Sequence, residues 1–136
     1  MANKDLRNWI AELEAESEIH TISGADPKED IGGIVDIVQR QMGMPALMFD
    51  EIPGYPKGHR VMSNLLTATP RINLALGLPA KGTDMDLVGW WRKYMSEAPT
   101  IPPKEINGGP LLDNLSEGTD VDITSIPTPV WHEHDG

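Results

Sequence analysis

The sequence predicts an α+β fold: a small mixed sheet with about four helices, followed by an extended, proline-rich β arm. Three observations predict it. Helical apolar spacing or a helix start marks four stretches, short apolar runs between them have strand length, and six of the twelve prolines fall in the last 38 residues. Residues 1–98 accordingly read as a compact α+β unit and 99–136 as an arm leaving it.

In "DLRNWIAELEAESEI", Leu6, Trp9, Ile10 and Leu13 follow the i, i+3, i+4, i+7 rule with charged residues between them, the mark of an amphipathic helix. "HTIS" (His20 to Ser23) alternates about Ile22 and is expected as a short strand. "DPKEDIGGIVDIVQRQ" then carries a helix start, with Asp26 as N-cap, Pro27 at the first helical position and Glu29 as the capping-box acid. Ile31, Ile34, Val35 and Val38 form its apolar stripe, and Gly43 ends it. Gly32 and Gly33 each weaken that helix by about 1 kcal/mol relative to Ala, so a close packing neighbour is expected there.

"PALMFDEI" is too short for a helix and reads as a strand, with Leu47 and Phe49 on one face and Met48 and Ile52 on the other. "PGYPKGH" is a turn cluster, and "RVMSNLL" returns as a second strand, giving a hairpin or neighbouring pair. Thr69 as N-cap followed by Pro70 opens the helix "PRINLALGL". Thr83 caps "DMDLVGWWRKYMSEA", whose Leu87, Trp91 and Tyr94 are expected to face the core, and Pro99 stops it. Trp90 and Trp91 lie about 100° apart on that helix, so at most one is well buried. Beyond Pro99, "KEI", "PLLDNL" and "VDITSI" read as edge strands or extended connectors, because proline removes ladder donors. There is no internal repeat and no low-complexity tract.

A length of 136 residues is one domain, able to bury roughly two-thirds of the surface of its unfolded chain. No apolar run approaches the roughly twenty residues that span a bilayer, and "MANKDLRNWI" lacks the layout of a signal peptide, so a soluble, cytoplasmic protein is expected. With no Cys there is no disulfide, thiol nucleophile or Cys-based metal site.

The formal charge is −10, unevenly spread: residues 1–104 hold all 11 Lys and Arg against 14 acids, and residues 105–136 hold seven acids and no base. Such a segment repels a phosphate backbone, so nucleic acid is not an expected partner. Acidic tails are ordinarily solvated, but Leu111, Leu112, Leu115, Val121, Ile123, Ile126, Val130 and Trp131 thread through this one. It is expected to pack on something.

Candidate chemistry is sparse. In "WHEHDG", His132 and His134 at i, i+2 point the same way if extended, beside Glu133 and Asp135, yet a third fixed ligand is lacking and surface or interface histidines are the better reading. His20 and His59 are isolated. "GYPKGHR" lacks the spacing of a phosphate loop and reads as a turn with Tyr55 over the hairpin. Nothing has the form of a nucleophile on a sharp turn beside a base, and no carboxylate pair stands out among the 21 acids. No catalytic, cofactor-binding or metal-binding residue is assigned.

Taken in order, "DLRNWIAELEAESEIHTISGADPKEDIGGIVDIVQRQ", "PALMFDEIPGYPKGHRVMSNLLTATPRINLALGL" and "DVDITSIPTPVWHEHDG" resemble the N-terminal region of the UbiD family of decarboxylases. The likeness covers nearly the whole chain. It implies that Trp131 to Gly136 lead toward a split β-barrel domain holding prenylated FMN with a divalent metal and potassium. The family's flavin ligands, metal ligands and Glu-Arg-Glu catalytic set lie past this point, so Arg60, Arg71 and Glu133 are given none of those roles. His134 stands where the family more often has Gly.

What the resemblance implies is a non-catalytic scaffold part of a non-oxidative, reversible decarboxylase of aromatic or α,β-unsaturated carboxylic acids. Its partner would be the remainder of the enzyme, in cis or as a second chain, and the complete enzyme would be a homo-oligomer. The alternative is a stand-alone acidic interaction module derived from this domain.

Overall fold

The structure is a computed structural model that describes residues 5–135; of Leu111 the backbone alone is described. The elements are α1 (Leu6–Ala15), β1 (Ile19–Ser23), α2 (Ile31–Gln39), β2 (Ala46–Asp50), β3 (Val61–Ser63), α3 (Thr69–Ala75) and α4 (Asp84–Glu97), then 3-10 turns at Pro110–Leu112, Gly118–Asp120 and Ile123–Ser125.

The sheet order is β1-β2-β3. β1 and β2 run parallel, Ile19 beside Ala46 through Ser23 beside Asp50, and α2 is the crossover between them. β3 returns antiparallel, Val61 beside Phe49. The mixed sheet and the predicted hairpin are thus present.

β2 is buried on both faces and divides the core in two. Trp9, Leu13, Ile19, Ala46, Met48 and Leu74 pack on the side of α1 and α3, and Ala25, Ile31, Val35, Leu47, Phe49 and Ile52 on the side of α2. Each large apolar side chain removed from water this way contributes about 1.5–3 kcal/mol. Ile52 was expected to share a face with Met48 but joins Leu47 and Phe49. Glu51 takes a left-handed backbone (φ 49°), which ends the two-residue alternation after Asp50.

Local signals place the helix starts to within a residue or a turn. The Asp26 carboxylate accepts from the backbone N–H of Lys28 (2.7 Å) and Glu29 (3.1 Å), as an N-cap does. The acid that reaches back to the Asp26 N–H is Asp30, at 2.9 Å, not Glu29. Residues 27–30 form turns, and the regular helix begins at Ile31. At α4 the Thr83–Asp86 capping box is complete. At α3 the helix includes Thr69 and the cap position falls on Ala68; the Thr69 hydroxyl donates to the Asp84 carboxylate instead, joining α3 to the start of α4.

Two expectations fail. α4 contains no buried residue: Leu87 is half-buried and Trp91 and Tyr94 are 46% and 49% exposed. α4 meets α3 but lies off both core clusters, so its apolar stripe has nothing to enter. Trp90 is half-buried and stacks on Tyr94 at 5.0 Å and 12°. Secondly, no strand occurs among the described residues after Pro99. Asp122 accepts from the Thr124 N–H and hydroxyl (2.9 and 2.6 Å), and such local closure gives 3-10 turns where "VDITSI" was expected to extend. Ile101, Ile106, Leu112, Leu115, Val121, Ile123 and Ile126 are all more than half exposed. Among the described residues no helix is long and apolar enough to cross a membrane.

Candidate functional site

The C-terminal passage returns to the core at the start of α2. The Val130 N–H donates to the Pro27 carbonyl at 2.9 Å. A Cβ on Gly32 would lie 2.5 Å from the Val130 carbonyl oxygen and 3.1 Å from that of Trp131, so only glycine admits this approach. One of the two expected packing reasons is therefore present. Gly33 has nothing within 4 Å of its Cβ position.

Beside this seam lies a half-open cavity of about 490 Å³, walled by Gly32, Gly33, Val35, Asp36, Gln39, Arg40, Trp131 and His132. Its charges are spoken for. Arg40 and Asp36 pair at 2.9 Å; hydrogen bonds from Arg40, then Gln39, hold the Asp36 carboxyl below its usual range, and Asp36 raises Arg40 in return. His132 turns to Asp135, whose carboxylate takes its backbone N–H at 2.9 Å and lies 3.2 Å from Nδ1. The extended run expected to align His132 with His134 is a turn, closed by the Asp135 N–H on the His132 carbonyl at 3.1 Å. Gly136 lies outside the described residues. Among the described residues no three His, Asp or Glu side chains form a group able to hold a metal ion.

A second feature is absent from any sequence spacing. Arg71 is fully buried. Its Nε donates to the Asn64 carbonyl (3.1 Å), its Nη1 to Glu18 (2.9 Å) and the Met44 carbonyl (2.7 Å), and its Nη2 to the Thr67 hydroxyl (3.0 Å). These acceptors lie just before β1, just before β2 and just after β3, so one guanidinium ties three strand ends together. With its donors turned to protein acceptors, Arg71 is placed as a clamp and not as a ligand for a substrate. Long-range partners such as Glu18 leave no local signal.

The hairpin turn holds Gly54 and Gly58 in left-handed conformations (φ 84° and 96°), and Tyr55 packs on the α2-side core, as expected of a turn. His59 and Arg60 line a half-open cavity of about 270 Å³ with Ile126 and Pro127. The His59 Nδ1 is buried with no partner among the described residues. A third hollow, about 460 Å³, lies between α3 and α4 and is lined by Leu66, Ile72, Ala75, Leu76, Leu87, Val88, Trp91 and Arg92.

None of these hollows fits a flavin nucleotide. The His59–Arg60 cavity falls below the roughly 300–1,000 Å³ of small-molecule sites, the α2 cavity has its cation neutralised by Asp36, and the α3–α4 hollow offers a tricyclic ring apolar walls but its phosphate no polar surface.

Comparison with known proteins agrees with the architecture. The profile of the 3-octaprenyl-4-hydroxybenzoate carboxy-lyase N-terminal domain matches residues 10–89. The pyrrole-2-carboxylic acid decarboxylase of Pseudomonas aeruginosa is 29% identical over 140 residues, spanning 97% of this chain and 28% of that protein. The vanillic acid decarboxylase of Sedimentibacter hydroxybenzoicus has the same fold at 24% identity. Its open form, with a truncated second component, matches 76% of this chain and 22% of that one with a TM-score of 0.67. Its closed form matches 75% and 21%, also at 0.67. The chain spans less than a third of the length of these relatives. The profile takes in more than half of the chain, and on that match the chain belongs to the UbiD family, as the N-terminal domain of its carboxy-lyases.

Proposed function

We propose that this chain is the N-terminal, non-catalytic scaffold of a UbiD-like decarboxylase that reversibly removes CO2, without oxidation, from an aromatic or α,β-unsaturated carboxylic acid. Residues 1–98 are its α+β unit, and 99–136 are the arm that packs on the remainder of the enzyme, in cis or as a second chain. The catalytic groups and the prenylated FMN with its divalent metal and potassium belong to that remainder; the flavin supplies the electron sink for loss of CO2. The complete enzyme is a homo-oligomer.

The observation that carries the reading is the surface of the segment after Pro99. Leu112, Leu115, Val121, Ile123 and Ile126 are between 52% and 76% exposed within residues 105–136, which hold seven acids and no base. Five large apolar side chains left exposed within one such segment support the reading of a surface that packs on a partner. The reading is also supported by relatives that decarboxylate pyrrole-2-carboxylic and vanillic acids and are more than three times as long as their match to this chain.

The test is to produce the 136-residue chain together with the remainder of the decarboxylase and measure their association. Because Leu112 and Leu115 touch solvent, Leu112→Ser and Leu115→Ser are expected to change the stability of the chain alone by less than about 0.5 kcal/mol, while weakening the complex. Absence of any complex with the wild-type chain at high micromolar concentration would overturn the reading.

A further inference from the structure

α4 poses a problem that the proposed arm does not solve. It is a 14-residue helix without a buried residue, tied to the fold at its first turn by the Thr69–Asp84 hydrogen bond. A helix that short is marginal in water by itself and takes most of its stability from a packed apolar face. Its apolar face is Leu87, Val88 and Trp91, and Leu66, Ile72 and Leu76 oppose it across the hollow of about 460 Å³. Val88, Trp91 and Leu66 are 47%, 46% and 59% exposed. The walls stand apart and offer no polar surface between them; Arg92 lines the hollow with its aliphatic stem, and its exposed guanidinium forms no ion pair among the described residues.

We infer that this hollow is the seat of an apolar ridge, carrying a carboxylate opposite Arg92, from the remainder of the decarboxylase. The inference rests on the scaffold reading above and adds a second attachment, separate from the arm. Three observations select this occupant. The relative aligned over 97% of this chain has 72% of its length outside the match, ample chain to supply such a ridge. The exposed Arg92 guanidinium stands at the edge of an apolar wall that its own stem helps to form, and docking there would take it from water, so an acidic partner is called for. A second copy of this chain presents the same concavity, and two hollows set face to face enclose void, whereas an interface core needs interdigitating surfaces.

The experiment uses the 136-residue chain co-produced with the remainder of the decarboxylase. Val88→Asp and Leu66→Asp, both at exposed positions, are each expected to weaken the complex at least about tenfold, with helical circular dichroism confirming that the chain still folds. Arg92→Glu is expected to weaken it as well, and Lys93→Glu, one residue outside the hollow, to leave it unchanged. Wild-type binding that survives all three hollow variants overturns the inference and leaves the scaffold reading standing; no wild-type binding overturns both. A concentration-dependent dimer of the isolated chain that Val88→Asp abolishes also overturns it, by making a second copy the occupant.

Discussion

Arg71 is the residue on which three strand ends converge, and its burial sets the cost of losing it. Arg71→Met leaves the Met44 and Asn64 carbonyls without this donor and the partly exposed Glu18 carboxylate without its counter-charge. A loss of about 3 kcal/mol is expected, read from urea unfolding. Glu18→Gln keeps an acceptor but leaves the fully buried Arg71 without its counter-charge, and should cost about 2–3 kcal/mol. The paired glycines of α2 give a sharper contrast. Gly32→Ala drives a methyl to 2.5 Å from the Val130 carbonyl oxygen and should free the terminal passage, whereas Gly33→Ala meets open space and should stabilise the helix by about 0.5–1 kcal/mol. Hydrogen exchange at the Val130 amide separates the two: fast in the first variant, unchanged in the second.

Elements differ in how much of them the sequence discloses. Caps act over three or four residues, and Thr83 is read correctly because the chemistry is local, whereas Asp26 caps the turn at residues 27–30 and the N-cap position of α2 itself falls one turn later, on Asp30. Strand faces are read correctly while alternation holds, and fail for Ile52 because the positive φ of Glu51 carries no marker in a non-glycine residue. α4 is the instructive failure: its stripe at Leu87, Trp91 and Tyr94 was legible, but periodicity names a face and not what covers it. Its cap titrates. Backbone and side-chain bonds from Thr83 hold the Asp86 carboxyl below its usual range. A depressed carboxyl stabilises the fold above its unfolded pKa, about 3.9, and that contribution fades as pH falls through the lowered folded value. The first turn of α4 should therefore fray only in acid. An NMR titration of the Asp86 carboxyl is expected to give a midpoint below that of the same residue in an unfolded peptide.

At the scale of the whole molecule, the α+β class, the mixed sheet and the helix count follow from periodicity, and the family from motifs in order. The Arg71 clamp and the α3–α4 hollow do not follow, because the clamp joins residues far apart in sequence and the hollow depends on how two consecutive helices pack, which only the fold decides. The "WHEHDG" passage reads as extended in the sequence, but Asp135 closes it into a turn, an exchange of one backbone conformation for another that short polar sequences permit freely. The segment from 99 to 129 is anchored at both ends, by α4 on one side and by the Val130–Pro27 hydrogen bond with its Gly32 seat on the other. A protease nicking this solvent-facing span between Ile101 and Ile126 should therefore yield two pieces that travel together on a native gel and part in detergent. Severing such a tether leaves its far end moored, so cleavage and release become separate events.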